Sequence, residues 1–295
     1  MNQSSPIRRI VAAAAIALAA SACGGGDKSP TGPSGPPAPG STFVYAAIGA
    51  SDANGVGSSV QCVPFTDCPN GMGYVPVAAR QLRAQGFTVD LTNLGFATAV
   101  IARDFQMLGQ QYGRTIVANF IDAEMPFVPT KANLVTIFAG VNEVNVITAA
   151  LGGGAGGTDP NGFIDAQVRA FGGDYTRLID GIRARAGQPR IIILNVPNVG
   201  AMPFLAAASL AQRQAAQRAS VAMNRTVVNP LAGGGVVVLD MMCDPRSYQP
   251  SLYSSDGLHP NDAGYANIAA NIVTAVTSST TRAPQAACAS MTLVP

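Results

Sequence analysis

The sequence predicts an α/β fold: a three-layer α/β/α sandwich on a mostly parallel five-stranded sheet. Two observations predict it. Five short apolar runs, at 42–49, 87–93, 134–139, 190–196 and 235–241, are rich in Val, Ile, Leu or Phe and bounded by Gly, Pro or Asn. Longer segments with helical spacing alternate with them, at 73–85, 102–122, 163–186, 206–228 and 261–277. Strands that alternate with helices imply parallel pairing, with helices on both faces of the sheet. Right-handed crossovers then bring the loops after the strands to one edge, where such sheets carry their sites.

Residues 1–22 read as an export signal. Arg8 and Arg9 supply the positive region, and Ile10 to Ala20 is an apolar run too short to span a bilayer comfortably. Ala20-Ser21-Ala22 places small residues before Cys23, which predicts a lipoprotein signal with Cys23 as the lipidated first residue. Ala20 stands where such signals usually carry Leu, and Ala20-x-Ala22 also suits ordinary signal peptidase. Residues 23–41 follow as the lipidated Cys and a tether of Gly, Pro and Ser. Such a segment stays extended and solvated, with a reach of at most about 50 Å at ~3.1 Å per residue. These features predict an exported, cell-envelope protein held to a membrane by its N-terminal lipid, with a secreted or periplasmic protein as the alternative. Gly24 after Cys23 favours the outer membrane where the host has one.

The body, 42–295, is one domain in length. It opens with the strand run Thr42 to Ile48, which ends in the turn Gly49-Ala50-Ser51-Asp52. The second run leads into Asn93-Leu94-Gly95-Phe96-Ala97-Thr98, and the third into Gly140-Val141-Asn142-Glu143. The last helix begins after Pro260 with Asn261-Asp262, residues suited to a helix start. The stretch 152–157 contains a G-x-G-x-x-G spacing, but without a strand-turn-helix setting it reads as a mobile loop near the site rather than a dinucleotide cradle.

Cysteine arithmetic fits export. Apart from Cys23 there are four, Cys62, Cys68, Cys243 and Cys288. Pairing Cys62 with Cys68 closes a loop, and Cys243 with Cys288 ties the tail to the body. The chain-entropy estimate makes the second worth about 4 kcal/mol and the first about half that. Four unpaired buried thiols are the alternative. No metal site and no cofactor are expected. Removing residues 1–22 takes away Arg8 and Arg9, leaving 16 basic against 16 acidic side chains, and no basic run argues for a nucleic-acid partner. The oligomeric state is not readable.

His259 is the only histidine in the chain, and it stands three residues after Asp256 in Asp256-Gly257-Leu258-His259-Pro260. A carboxylate at that spacing can fix the imidazole tautomer and leave its other nitrogen to take a proton from a nucleophile. Ser51, at the end of the first strand, is the best-placed nucleophile.

These blocks, in order and spread over nearly the whole body, resemble the SGNH or GDSL hydrolases. Gly49-Ala50-Ser51-Asp52 is similar to the family's first block, with Ala50 where Asp is usual. Gly140-Val141-Asn142-Glu143 is similar to its third block, with Glu143 replacing Asp, and Asp256-x-x-His259 to its fifth. The resemblance implies a flavodoxin-like sheet and a Ser51-His259-Asp256 triad. It also implies an oxyanion hole made by the Ser51 N–H, the Asn142 side chain and a backbone N–H at Gly95, with Thr98 as the alternative where relatives carry a second glycine. Asn195 to Pro203 resembles a Pro-x-x-Gly-x-x-Pro segment of lipase-like members. The expected activity is hydrolysis of carboxylic esters of short to medium acyl length, of lipid type. Removal of O-acetyl groups from glycan or cell wall ranks second, and a binding lipoprotein on a decayed hydrolase fold is the alternative of another class.

Overall fold

The computed structural model describes Met1 and residues 35–66, 68–280 and 282–295. The export signal and Cys23 lie outside the described residues. Among those described, no helix is long and apolar enough to cross a membrane.

Five parallel strands form the sheet: β1 (Thr42–Gly49), β2 (Thr88–Asn93), β3 (Leu134–Phe138), β4 (Arg190–Leu194) and β5 (Val236–Leu239), in the order β2-β1-β3-β4-β5. The helices are α1 (Ser51–Asn54), α2 (Tyr74–Ala84), α3 (Arg103–Gln111), α4 (Phe120–Ala123), α5 (Val141–Gly152), α6 (Pro160–Ala186), α7 (Leu210–Met223) and α8 (Asp262–Thr277). β3 and β4 are buried throughout, as strands covered on both faces must be. Their side chains alternate between two cores. Val135, Ile137, Ile191 and Ile193 pack with residues of α3, α5, α6 and α7. Leu134, Phe138, Ile192 and Leu194 pack on the other face with α2 and α8. In α8 the buried set Tyr265, Ile268, Ala269, Ile272, Val273 and Val276 keeps the three-and-four spacing of one helix face. Local signals set the helix starts: Asp159, Ser209 and Asn261 accept from the N–H three residues on, opening α6, α7 and α8.

The sequence-predicted strands and the three-layer architecture stand, with ends trimmed by one or two residues. Three helix readings change. The helix predicted over 102–122 is two: α3 ends at Gln111, and Gly113 at φ +77° turns the chain away before α4. The segment read as 206–228 begins at Leu210 and closes in a π-helical turn over Asn224–Val228. α5 was not anticipated, because Gly140 to Asn142 read as a turn and the glycines at 152–157 as loop. Those glycines join α5 to α6. At about 1.5 Å per residue along α5 they lie about 15 Å from Asn142, at the far end from the site.

The order 2-1-3 reverses chain direction at β1, so the crevice opens where the loops after β1, β2 and β3 part company. Gly49 pairs with Phe138 and Ala47 with Asn93, which ends the three strands at nearly one level. Two disulfides close the periphery, Cys62–Cys68 and Cys243–Cys288, each with Cα atoms 5.8 Å apart. Beyond the second, the tail is fastened to the body: the Gln217 side chain donates to Val294 and accepts from its N–H, and Asn198 donates to the Ser290 carbonyl. Replacing Cys243 and Cys288 together by Ala is predicted to lower the unfolding free energy by about 2–4 kcal/mol, read from urea midpoints under oxidising conditions.

Candidate active site

Three strand-end loops and the loop before α8 converge on Ser51. Its Oγ lies 2.8 Å from His259 Nε2, and His259 Nδ1 lies 2.6 Å from Asp256 Oδ2. Ser51 comes from the first turn after β1 and is 8% exposed. The other two come from a turn 205 and 208 residues further on. That turn is built by its own carboxylate. Asp256 Oδ1 accepts the N–H groups of Leu258 and His259 and the Ser254 hydroxyl, while Oδ2 faces the ring. Burial alone would raise this carboxyl. The hydrogen bonds from the His259 ring, the two backbone N–H groups and Ser254 outweigh it and bring the group down to about 2.

The loop after β2 packs beside the turn that carries Ser51. Asn93 ties it there, its amide donating to the Ala53 carbonyl at 2.7 Å and its Oδ1 accepting the Gly95 N–H at 3.3 Å. Gly95 is buried, and a Cβ on it would stand 2.5 Å from Ala53 Cβ and 3.1 Å from the carbonyls of Gly49 and Ala50. Its glycine is therefore demanded by packing against the turn that carries Ser51. Thr98 is exposed and sits at φ +68°, a left-handed conformation costly for a β-branched residue. Among the described residues the N–H groups of Ser51 and Thr98 have no hydrogen-bond partner. Asn142, in the first turn of α5, donates one amide hydrogen to the Ala99 carbonyl at 2.8 Å and keeps its second.

Two buried glutamates link these loops, and sequence reasoning missed the role of both. Glu124, 0% exposed, accepts the Gly49 N–H at 2.9 Å and the Phe96 N–H at 3.3 Å. Glu143 accepts the N–H groups of Gly140 at 2.7 Å and Ile101 at 2.5 Å. Burial pushes Glu124 well above the carboxylate range, and Glu143 up to about 7, against the pull of these N–H groups. Glu143 stands inside a motif and was visible as a departure from it. Glu124 stands in no motif.

Asp52, Val141, Leu258 and Pro260, the chain neighbours of Ser51, Asn142 and His259, line one pocket with a cavity volume of about 50 Å³. Phe138, Met202, Met241, Leu252, Tyr253 and Ile268 complete an apolar body, and Asp244, Arg246 and Asn271, hydrogen-bonded to one another, lie in its wall. Burial raises the Asp52 carboxyl, opposed in part by the nearby imidazole. Among the described residues no group of His, Cys, Asp or Glu is gathered to hold a metal ion.

A family model described as GDSL-like lipase/acylhydrolase matches residues 47–266. Among solved structures, a lipase from a goat rumen metagenome is 16% identical with a TM-score of 0.55, over 80% of this chain and 98% of that one. An extracellular lipase from Streptomyces rimosus is 18% identical with a TM-score of 0.50, over 80% of this chain and all of that one. No curated protein matches the sequence.

The lowered Asp256 carboxyl gives a signed expectation. A depressed carboxyl contributes stability that is complete above the unfolded value near pH ~4 and is lost as pH falls through about 2. Thermal melts from pH 5 to pH 2 should therefore fall less steeply for Asp256→Asn than for the wild type.

Proposed function

The chain belongs to the GDSL-like lipase/acylhydrolase family, and from that premise we propose that it is a serine ester hydrolase acting through an acyl-enzyme. The observation that carries this reading is the unbroken relay Ser51–His259–Asp256, with contacts of 2.8 and 2.6 Å. Asp256 holds the proton on Nδ1, so Nε2 is the acceptor that faces the serine. Ser51 Oγ attacks the ester carbonyl as its proton passes to Nε2, and the imidazolium then protonates the departing alkoxide. Water, deprotonated by the same nitrogen, releases the acid and restores Ser51.

The negative charge that develops on the carbonyl oxygen is met by the Ser51 N–H, the second amide hydrogen of Asn142 and a backbone N–H of the loop after β2. Of the two candidates, Thr98 is the better one. The Gly95 N–H is already given to Asn93, whereas the Thr98 N–H is unengaged and its φ lies in a costly region. Gly95 then serves as the small residue that lets the loop approach.

The substrate reading is a carboxylic ester of short to medium acyl length, of lipid type. The pocket bounded by Asp52, Val141, Leu258 and Pro260 supports it, since an apolar cleft adjoining the reactive serine suits an acyl chain better than a sugar. The export reading adds that a lipid on Cys23 would keep the site near a membrane. It rests on residues 8–23 and accords with the two disulfides.

Ser51→Ala should abolish both hydrolysis of p-nitrophenyl butyrate and labelling by a fluorophosphonate, and Asn142→Ala should lower kcat by roughly 10²–10³ with a smaller change in KM. Labelling of another serine in the Ser51→Ala variant would end the assignment. Leu252→Trp, which fills the pocket, should reduce kcat/KM for octanoyl esters roughly tenfold more than for acetyl esters. Release of acetate from acetylated glycan, with negligible turnover of butyryl and octanoyl esters, would instead move the reading to a glycan deacetylase.

A further inference from the structure

We propose that Glu124 is a positioning residue that sets the distance between two donors of the oxyanion hole, the Ser51 N–H and the N–H of the loop at 95–98. The inference rests on the ester-hydrolase reading and adds to it a residue that belongs to none of the matched blocks.

Glu124 follows α4, below the reactive edge of the sheet, and no part of it reaches solvent. One oxygen accepts the N–H of Gly49, the last residue of β1 and two residues before Ser51. The other accepts the N–H of Phe96, two residues before Thr98. One side chain thus bridges the two turns that would each present a backbone N–H to the substrate oxygen. The bridge is short and planar, so the two turns cannot part or slide without breaking a hydrogen bond in a dry environment.

Such a group is a poor choice for stability alone. A carboxyl taken wholly out of water is costly, and among the described residues no cation pairs with Glu124. Glu143 performs the matching task one loop along, joining Gly140 to Ile101 beside Asn142. Together the two acids make a chain of fixed links across all three donor-bearing loops.

Glu124→Gln tests this without changing shape. An amide offers one acceptor oxygen where the carboxyl offers two, so the N–H of Gly49 or of Phe96 loses its partner. Purified Glu124→Gln and Glu124→Asp should fold, judged by circular dichroism, and lose kcat on p-nitrophenyl butyrate by roughly 10–100-fold with KM within about twofold. A boronic acid that forms a tetrahedral adduct at Ser51 should lose affinity by a similar factor, while butyrate, a ground-state ligand, should not. If the Gln variant fails to fold, the Asp variant is read by the same measures. Wild-type kcat and boronate affinity in a folded variant, whatever its melting temperature, would overturn the proposal. A wild-type protein that neither hydrolyses esters nor reacts with fluorophosphonate would overturn the hydrolase reading, and this inference with it.

Discussion

The reactive end of this molecule is governed by a shortage of hydrogen-bond acceptors. Where a parallel sheet stops, backbone N–H groups lose their strand partners, and in a buried setting each one left bare is costly. Here they are met by side chains: Glu124 takes Gly49 and Phe96, Glu143 takes Gly140 and Ile101, and Asn93 takes Gly95. Among the described residues the N–H groups of Ser51 and, in the loop after β2, of Ala97 and Thr98 have no such partner. The site is defined as much by which amides have been satisfied as by which side chains react.

The same economy explains the two acids. Each carboxyl accepts one backbone N–H from each of two loops. Burial raises both Glu124 and Glu143, and the N–H groups they accept pull them the other way.

Much of this was legible in the sequence, for physical reasons. β3 and β4 are continuous apolar runs because helices cover both their faces, and a run such as Arg190–Leu194 has few other uses. Asp256 and His259 were legible because their spacing is local and the histidine is single. α5 was not, because its first turn carries the Gly-Val-Asn of a loop motif and its end dissolves into glycines. Glu124 was not, because its meaning lies in contacts with residues 75 and 28 positions away, which no local pattern records. The proposed preference for Thr98 over Gly95 rests on a backbone angle and on who already holds each N–H, neither of which a local pattern records.

Asp256 has spent both its oxygens, on four donors within one turn of the chain. It cannot follow the imidazole, so the ring has a fixed hinge point at Nδ1. On the proposed ester-hydrolase reading, travel of the proton between serine and leaving group would come from a small swing about that hinge, with Nε2 as the moving tip. The turn therefore behaves as a pivot bearing, with its stiffness built in locally and its alignment to Ser51 supplied by the rest of the fold.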